Sequence, residues 1–261
     1  MSELTKLIAK PLKFFLKRIN YSQAVILFTL SLLLTIIAPA AIAGYTPPPN
    51  REPPSDYSKS TGIRGCPSIT ILAPKTHVGQ TISTHPTFAW FISDAAGQDA
   101  RYSSTVKLKI AEFTADGQLK QLANPIELQI VPGIMKLPLE QLTLKVGQKY
   151  LWQVSVRCPD GSVVQRAELR VIEMPSSLKQ NLATTEDSAQ KADLYAQAGA
   201  WYDAIAFALE VAQNGKLGQV GSNLVLSLVR VEESQFSENS TQLEEIRQQV
   251  ARLKQIAQSD R

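Results

Sequence analysis

The chain has 261 residues, 44% of them hydrophobic, which is enough for one large or two small domains with a substantial core. Its formal net charge of +4 hints at an acidic partner, yet five of the 27 basic residues and one of the 23 acidic ones fall within the first eighteen positions, leaving 22 of each sign. Without a basic stripe that remainder has no electrostatic footprint for a phosphate backbone, so nucleic acid is excluded as a partner class.

At the N-terminus, Lys6, Lys10, Lys13, Lys17 and Arg18 precede the almost purely apolar run from Ala24 to Ile37, and Ala41-Ile42-Ala43 offers the small residues that a signal peptidase accepts. Residues 1–43 therefore read as a signal peptide cleaved after Ala43. The alternative is an uncleaved anchor, because no charge occurs from Tyr21 to Ala43 and that span can cross a hydrocarbon core of roughly 30 Å. In both cases the rest of the chain lies outside the cytosol, periplasmic or secreted, and meets the membrane only through this segment. Residues 44–60, with Pro47, Pro48, Pro49, Pro53 and Pro54, read as an extended, poorly packed linker. A proline-rich ligand for some partner is the functional alternative.

Cys66 and Cys158 are the two cysteines, both in the exported part where disulfides persist. One bridge is expected between them, the alternative being two separate buried thiols. With only His77 and His85 in the chain, the cysteines do not make a metal-ligand cluster.

Across 61–174, short alternating segments separated by Gly, Pro, Asn and Asp predict an antiparallel β domain. Thr87 to Ile92 is one strand; in Val106 to Phe113, Val106, Leu108 and Ile110 oppose Lys107 and Lys109. Asp116-Gly117 turns the chain, Ile126, Leu128 and Ile130 alternate with Glu127 and Gln129, and Pro132-Gly133 turns it again. The strongest strand runs from Tyr150 to Cys158, with Tyr150, Trp152, Val154, Val156 and Cys158 on one face directed at the core. Asp160-Gly161 is a hairpin signal that returns the chain through Val163 to Ile172. A buried tryptophan on the strand face of a bridging cysteine resembles the way immunoglobulin-like sandwiches are built.

After Pro175 the periodicity becomes helical. Thr184 to Asp187 offers a cap, and Ala192, Tyr195, Ala198, Trp201, Tyr202, Ile205, Ala208 and Leu209 recur at helical spacing, divided into a pair by Gly199. Leu194 to Ala204 resembles the helix-turn-helix unit of tetratricopeptide repeats, although one copy is too few for a solenoid. Val220 to Val231 reads as a further helix, with a strand as the alternative. Thr241-Gln242-Leu243-Glu244 is a capping box that opens a last helix with Leu243, Ile246, Val250, Leu253 and Ile256 on one stripe. That stripe either packs on the body or forms a short partner-binding coil. The fold class is α+β: an immunoglobulin-like antiparallel β-sandwich over 61–174, then a small helical region over 175–261.

Several landmarks occur in order: Thr61 to Cys66, Leu72-Ala73-Pro74, Thr81 with Pro86-Thr87-Phe88, Pro132-Gly133-Ile134, Gly147 to Trp152, and Tyr195 to Ala204. With them the chain resembles a cyanobacterial exported family known as domain of unknown function 928. Ser222 to Leu228 departs from the family pattern at its second tryptophan-bearing helical segment, and so do Ile63 and the charged C-terminal tail. The resemblance implies no reaction and no binding residues; because members are found beside extracellular-sensor proteins, it suggests a role linked to envelope sensing.

For catalysis, there is no G-x-S-x-G motif, and His77 and His85 read as surface-loop histidines rather than bases. No phosphate loop, dinucleotide fingerprint, calcium loop or zinc spacing occurs, so no cofactor is expected. The site-like cluster is Trp201, Tyr202 and Asp203, either a stacking surface for a sugar or peptide or the seam that docks the helices. Arg64, between Gly62 and Gly65, is either an anion binder or a structural ion pair. The expected function is a non-enzymatic protein-interaction module of the cell envelope, with an envelope protein as partner and the helical pair and terminal stripe as its surface. The alternative is a carbohydrate or cell-wall binding domain.

Overall fold

The structure is a computed structural model that describes residues 44–59, 66–93, 104–235 and 241–259. The N-terminal basic and apolar segment and Arg64 lie outside the described residues, and residues 42–261 form one compact unit.

The strands of the described residues are β1 (Ile69–Ile71), β2 (Gly79–Thr81), β3 (Thr87–Ile92), β4 (Thr105–Phe113), β5 (Leu119–Gln121), β6 (Ile126–Gln129), β7 (Gly133–Pro138), β8 (Lys149–Cys158) and β9 (Gly161–Val171). They make a small sheet in the order β1-β3-β7 and a large sheet in the order β2-β9-β8-β4-β5, with β6 also on β4. Pairing is antiparallel except for β2, which runs parallel to β9. Both sheets turn apolar faces into one core: Phe88, Trp90 and Ile92 from the small sheet, Val106, Leu108, Trp152, Val154 and Leu169 from the large one. Alternation dictates this, since successive residues of a strand point to opposite sides. In β8, Tyr150, Trp152, Val154, Val156 and Cys158 are buried, which is the predicted inward face. The fold is an α+β sandwich followed by helices.

The helices are α1 (Ser176–Leu182), α2 (Ser188–Gln197), α3 (Trp201–Glu210), α4 (Gly218–Glu233) and α5 (Thr241–Ser259). Asp187 caps α2 by accepting from the Gln190 N–H at 2.8 Å, so the cap lies at the last residue of the expected stretch. Gly199, at φ +79°, turns α2 into α3 in a conformation costly for side chains with a Cβ. α3 packs on β2 and β3, and α5 packs on α4 and β1. In α5, Val250, Leu253, Ile256 and Ala257 are buried in the shared core. From Ile246 onward the terminal stripe is thus part of the interior rather than a partner surface, because its apolar side chains find cover on this chain's own body, while the Leu243 side chain lies outside the described residues.

Residues 44–59 correct the expectation of a loose linker. Tyr45 is 4% exposed, the Thr46 N–H donates to the Ala196 carbonyl at 3.0 Å, and the Val78 N–H donates to the Glu52 carbonyl at 2.9 Å. Glu52 pairs with Arg170 at 2.6 Å and Lys149 at 3.0 Å. Prolines make the segment extended, as expected, but an extended chain can be bonded along a body as well as be a tether. It is a strap from the α2–α3 turn across β2 to the outer face of the large sheet.

Candidate functional site

Cys66 and Cys158 form a disulfide with Cα atoms 6.2 Å apart, joining the chain ahead of β1 to the end of β8. Trp201, Tyr202 and Asp203 open α3, and all of them are buried. The Trp201 indole donates to the Leu72 carbonyl at 2.8 Å, and the Trp152 indole donates to the Tyr202 hydroxyl at 2.8 Å. Asp203 accepts from the backbone N–H groups of Ile82 at 2.8 Å and Ser83 at 3.1 Å. Burial pushes its carboxyl above the usual carboxylate range, and those bonds offset part of that push. The expected interaction surface at Trp201, Tyr202 and Asp203 is therefore corrected: these side chains are the seam between α3 and the sandwich, out of reach of a partner.

A second polar cluster lies beneath the strap. His77 is 1% exposed, which corrects its reading as a surface-loop histidine. Its Nε2 meets the Tyr45 hydroxyl at 2.8 Å, its Nδ1 the Thr76 hydroxyl at 3.1 Å, and Glu232 stands 4.0 Å away. Burial, with a lesser contribution from Arg51, holds the His77 pKa down to about 4, so the ring is neutral at neutral pH and its contact with Glu232 is not an ion pair. Glu232 accepts from the backbone N–H groups of Lys75 and Thr76 and from the Thr76 hydroxyl, which offsets the upward push of burial on its carboxyl. Lys75 donates to the carbonyls of Ser58 and Arg166 and pairs with Glu245 at 3.1 Å. A histidine and a carboxylate side by side resemble a catalytic pair. Here their polar atoms are engaged in tying the strap, the β1–β2 connection and α4 together, and Tyr45 covers the ring. His85, by contrast, is exposed and meets the Thr143 hydroxyl at 3.0 Å.

An accessible concavity lies on the opposite side of the large sheet from the core. A groove of about 430 Å³ runs over β5, β4, β8 and β9 and is closed at one end by the strap residues Asp56 and Tyr57. Cross-strand register builds its floor: Lys109 faces Gln153, which faces Arg166, and one step along, Gln121, Ala111 and Leu151 line up. Arg166 donates through Nε to the Gln153 Oε1 at 2.8 Å and through a terminal nitrogen to the Lys59 carbonyl at 2.7 Å. Gln121 donates to the Ala123 carbonyl at 2.7 Å. Lys109 has no hydrogen-bond or ion-pair partner among the described residues. Asp56 is paired with Lys59 at 3.0 Å, so the groove presents a positive charge that is not cancelled locally. The Tyr57 ring, 43% exposed, stands at its rim and leans on Phe113 at 6.2 Å. Alternation already places Lys109 on the outer face. The register that aligns it with Gln153 and Arg166, and the strap that closes the end, depend on pairings far apart in the chain.

A family model described as Domain of Unknown Function (DUF928) matches residues 56–248, from the strap to α5. A search of curated proteins finds no match. Among solved structures, the chain is similar to a superoxide reductase (neelaredoxin) from Ignicoccus hospitalis, with 18% identity over 40% of this chain and 79% of that one and a TM-score of 0.27. It is similar also to the sensor domain of the anti-sigma factor RsgI4 from Pseudobacteroides cellulosolvens, with 14% identity over 42% and 78% and a TM-score of 0.28. A human fibronectin III domain, the third of KIAA0343, overlaps at 9% identity over 46% and 95%, with a TM-score of 0.26. Overlaps this weak carry no inference about what the chain does.

Proposed function

The chain belongs to the family described as Domain of Unknown Function (DUF928), and we propose that within it this protein is a non-enzymatic binding module of the cell envelope that recognises its ligand in the groove of the large sheet. The single observation behind this reading is Lys109, a cation without a protein partner among the described residues, set in a concave floor between amides. A volume of about 430 Å³ is in the range of ligand pockets. Binding is favoured over catalysis because the buried histidine and carboxylates are spent on holding the strap, and the groove lining offers a lysine, an arginine, amides and a paired aspartate. Export, through the N-terminal basic and apolar segment, places the module outside the cytosol, either released after Ala43 or anchored.

Retention of the full chain on sedimented envelope material tests the reading. Lys109→Glu should lower retention about tenfold or more, since it reverses a groove charge that has no ion-pair partner among the described residues. Val211→Ser, at an exposed position on the helical side, should leave it unchanged. Equal retention of Lys109→Glu and the parent chain would remove the groove from consideration.

A further inference from the structure

We infer that the groove takes an acidic sugar chain, one whose rings carry a carboxylate beside free hydroxyls. This rests on the reading of the groove as the recognition surface and adds the chemistry of the ligand.

The lining sorts into donors and acceptors. Arg166 occupies the Gln153 Oε1, which leaves the Gln153 amide N–H groups as donors beside the Lys109 ammonium on the neighbouring strand. Adjacent strands lie roughly 4.8 Å apart, so the two donors can converge on one carboxylate. One N–H of Gln121 donates to the Ala123 carbonyl, which leaves its Oε1 as an acceptor beside its second N–H. It pairs with Ala111, two residues along β4 from Lys109, a diagonal separation of about 7 Å. A carboxylate cannot satisfy an acceptor, whereas a hydroxyl on the same ring can. Between them the floor is apolar, with Ala111, Leu119 and Leu151, and the half-exposed Tyr57 ring offers a flat face at the rim for the C–H side of a sugar. Charge alone would suit an acidic peptide equally. The exposed aromatic rim, a flat face for a ring to stack on, decides for the sugar.

The test is calorimetric titration of the full chain, held in mild detergent, with a short oligogalacturonate, a malto-oligosaccharide and an oligoglutamate. The inference expects binding of the oligogalacturonate that weakens as salt is raised, and at least tenfold weaker binding of the other two. Lys109→Gln should weaken oligogalacturonate binding about tenfold, and Gln121→Leu should weaken it severalfold, with the thermal midpoint of each variant unchanged because both side chains lie outside the core. Equal binding of the malto-oligosaccharide, or of the oligoglutamate, overturns the inference. So does the absence of oligogalacturonate binding. In that case Lys109→Glu still separates the two claims: if it abolishes envelope retention, the groove stands and its ligand is of another chemistry, and if it does not, both fall.

Discussion

Replacing Trp201 with Ala would take away a fully buried indole and its bond to the Leu72 carbonyl. The expected outcome is a loss of about 3–5 kcal/mol in stability by urea denaturation, with the folded fraction retaining its ligand binding. Loss of binding at unchanged stability would restore this cluster as a surface. His77 is the residue with a pH signature. Its folded pKa, held near 4 by burial, lies below the ordinary 6.5 of an unfolded histidine, so the unfolded chain takes up the proton first. The stabilisation is complete above pH 6.5 and is lost as pH falls toward 4, to the extent of up to about 3 kcal/mol. Glu232, pushed up by burial, acts in the opposite sense and is present in the parent and in His77→Gln alike. Stability measured across that window should therefore fall more steeply in the parent than in His77→Gln, and parallel curves would contradict the assignment. The burial of His77 is not legible in the sequence, whereas that of Trp201 is one of its two readings. Two histidines flanking turns read as loop residues, and only the long-range approach of Tyr45 and Glu232 takes His77 out of solvent.

At the scale of elements, the helix boundaries were well marked, because Asp187 and Gly199 act through local chemistry: a side chain accepting from a free N–H, and a backbone conformation that glycine tolerates. The strands were legible where alternation is strong, as in Tyr150 to Cys158. β7 was missed, since Met135 to Pro138 ends in a proline and is half-exposed, and the parallel pairing of β2 with β9 leaves no signature in three residues. The docking of the strap has no local signature, because composition sets its extended conformation while distant partners set where it binds. Gly199 has a second constraint there: a Cβ would stand 3.2 Å from the Thr46 carbonyl oxygen, in addition to the positive φ. Gly199→Ala should destabilise by about 1–2 kcal/mol, and hydrogen exchange should show the Thr46 and Val78 amides losing protection before the centre of β8. Unchanged protection at Thr46 would show that the strap does not depend on this turn.

For the whole molecule, the disulfide closes a sequence separation of 92 residues and fixes the start of the small sheet to the end of a central strand of the large one. Reduction should lower stability by up to about 4.5 kcal/mol, read as a drop in the urea midpoint. The surfaces divide in a way that helical periodicity could not reveal. An amphipathic face identifies apolar cover without saying whose, and here the seam of α3 and the buried residues of α5 are covered by the protein itself, while the outer face of the large sheet offers a concave, charged surface. The measurement that bears most directly on that division is lysine acetylation footprinting of the full chain, with and without envelope material, read by mass spectrometry. The account predicts that Lys109 is modified in the isolated protein and protected when envelope is present, while Lys179 and Lys191 on α1 and α2 react equally in both. Protection of Lys179 and Lys191 with Lys109 unchanged would contradict it and return the recognition surface to the helices.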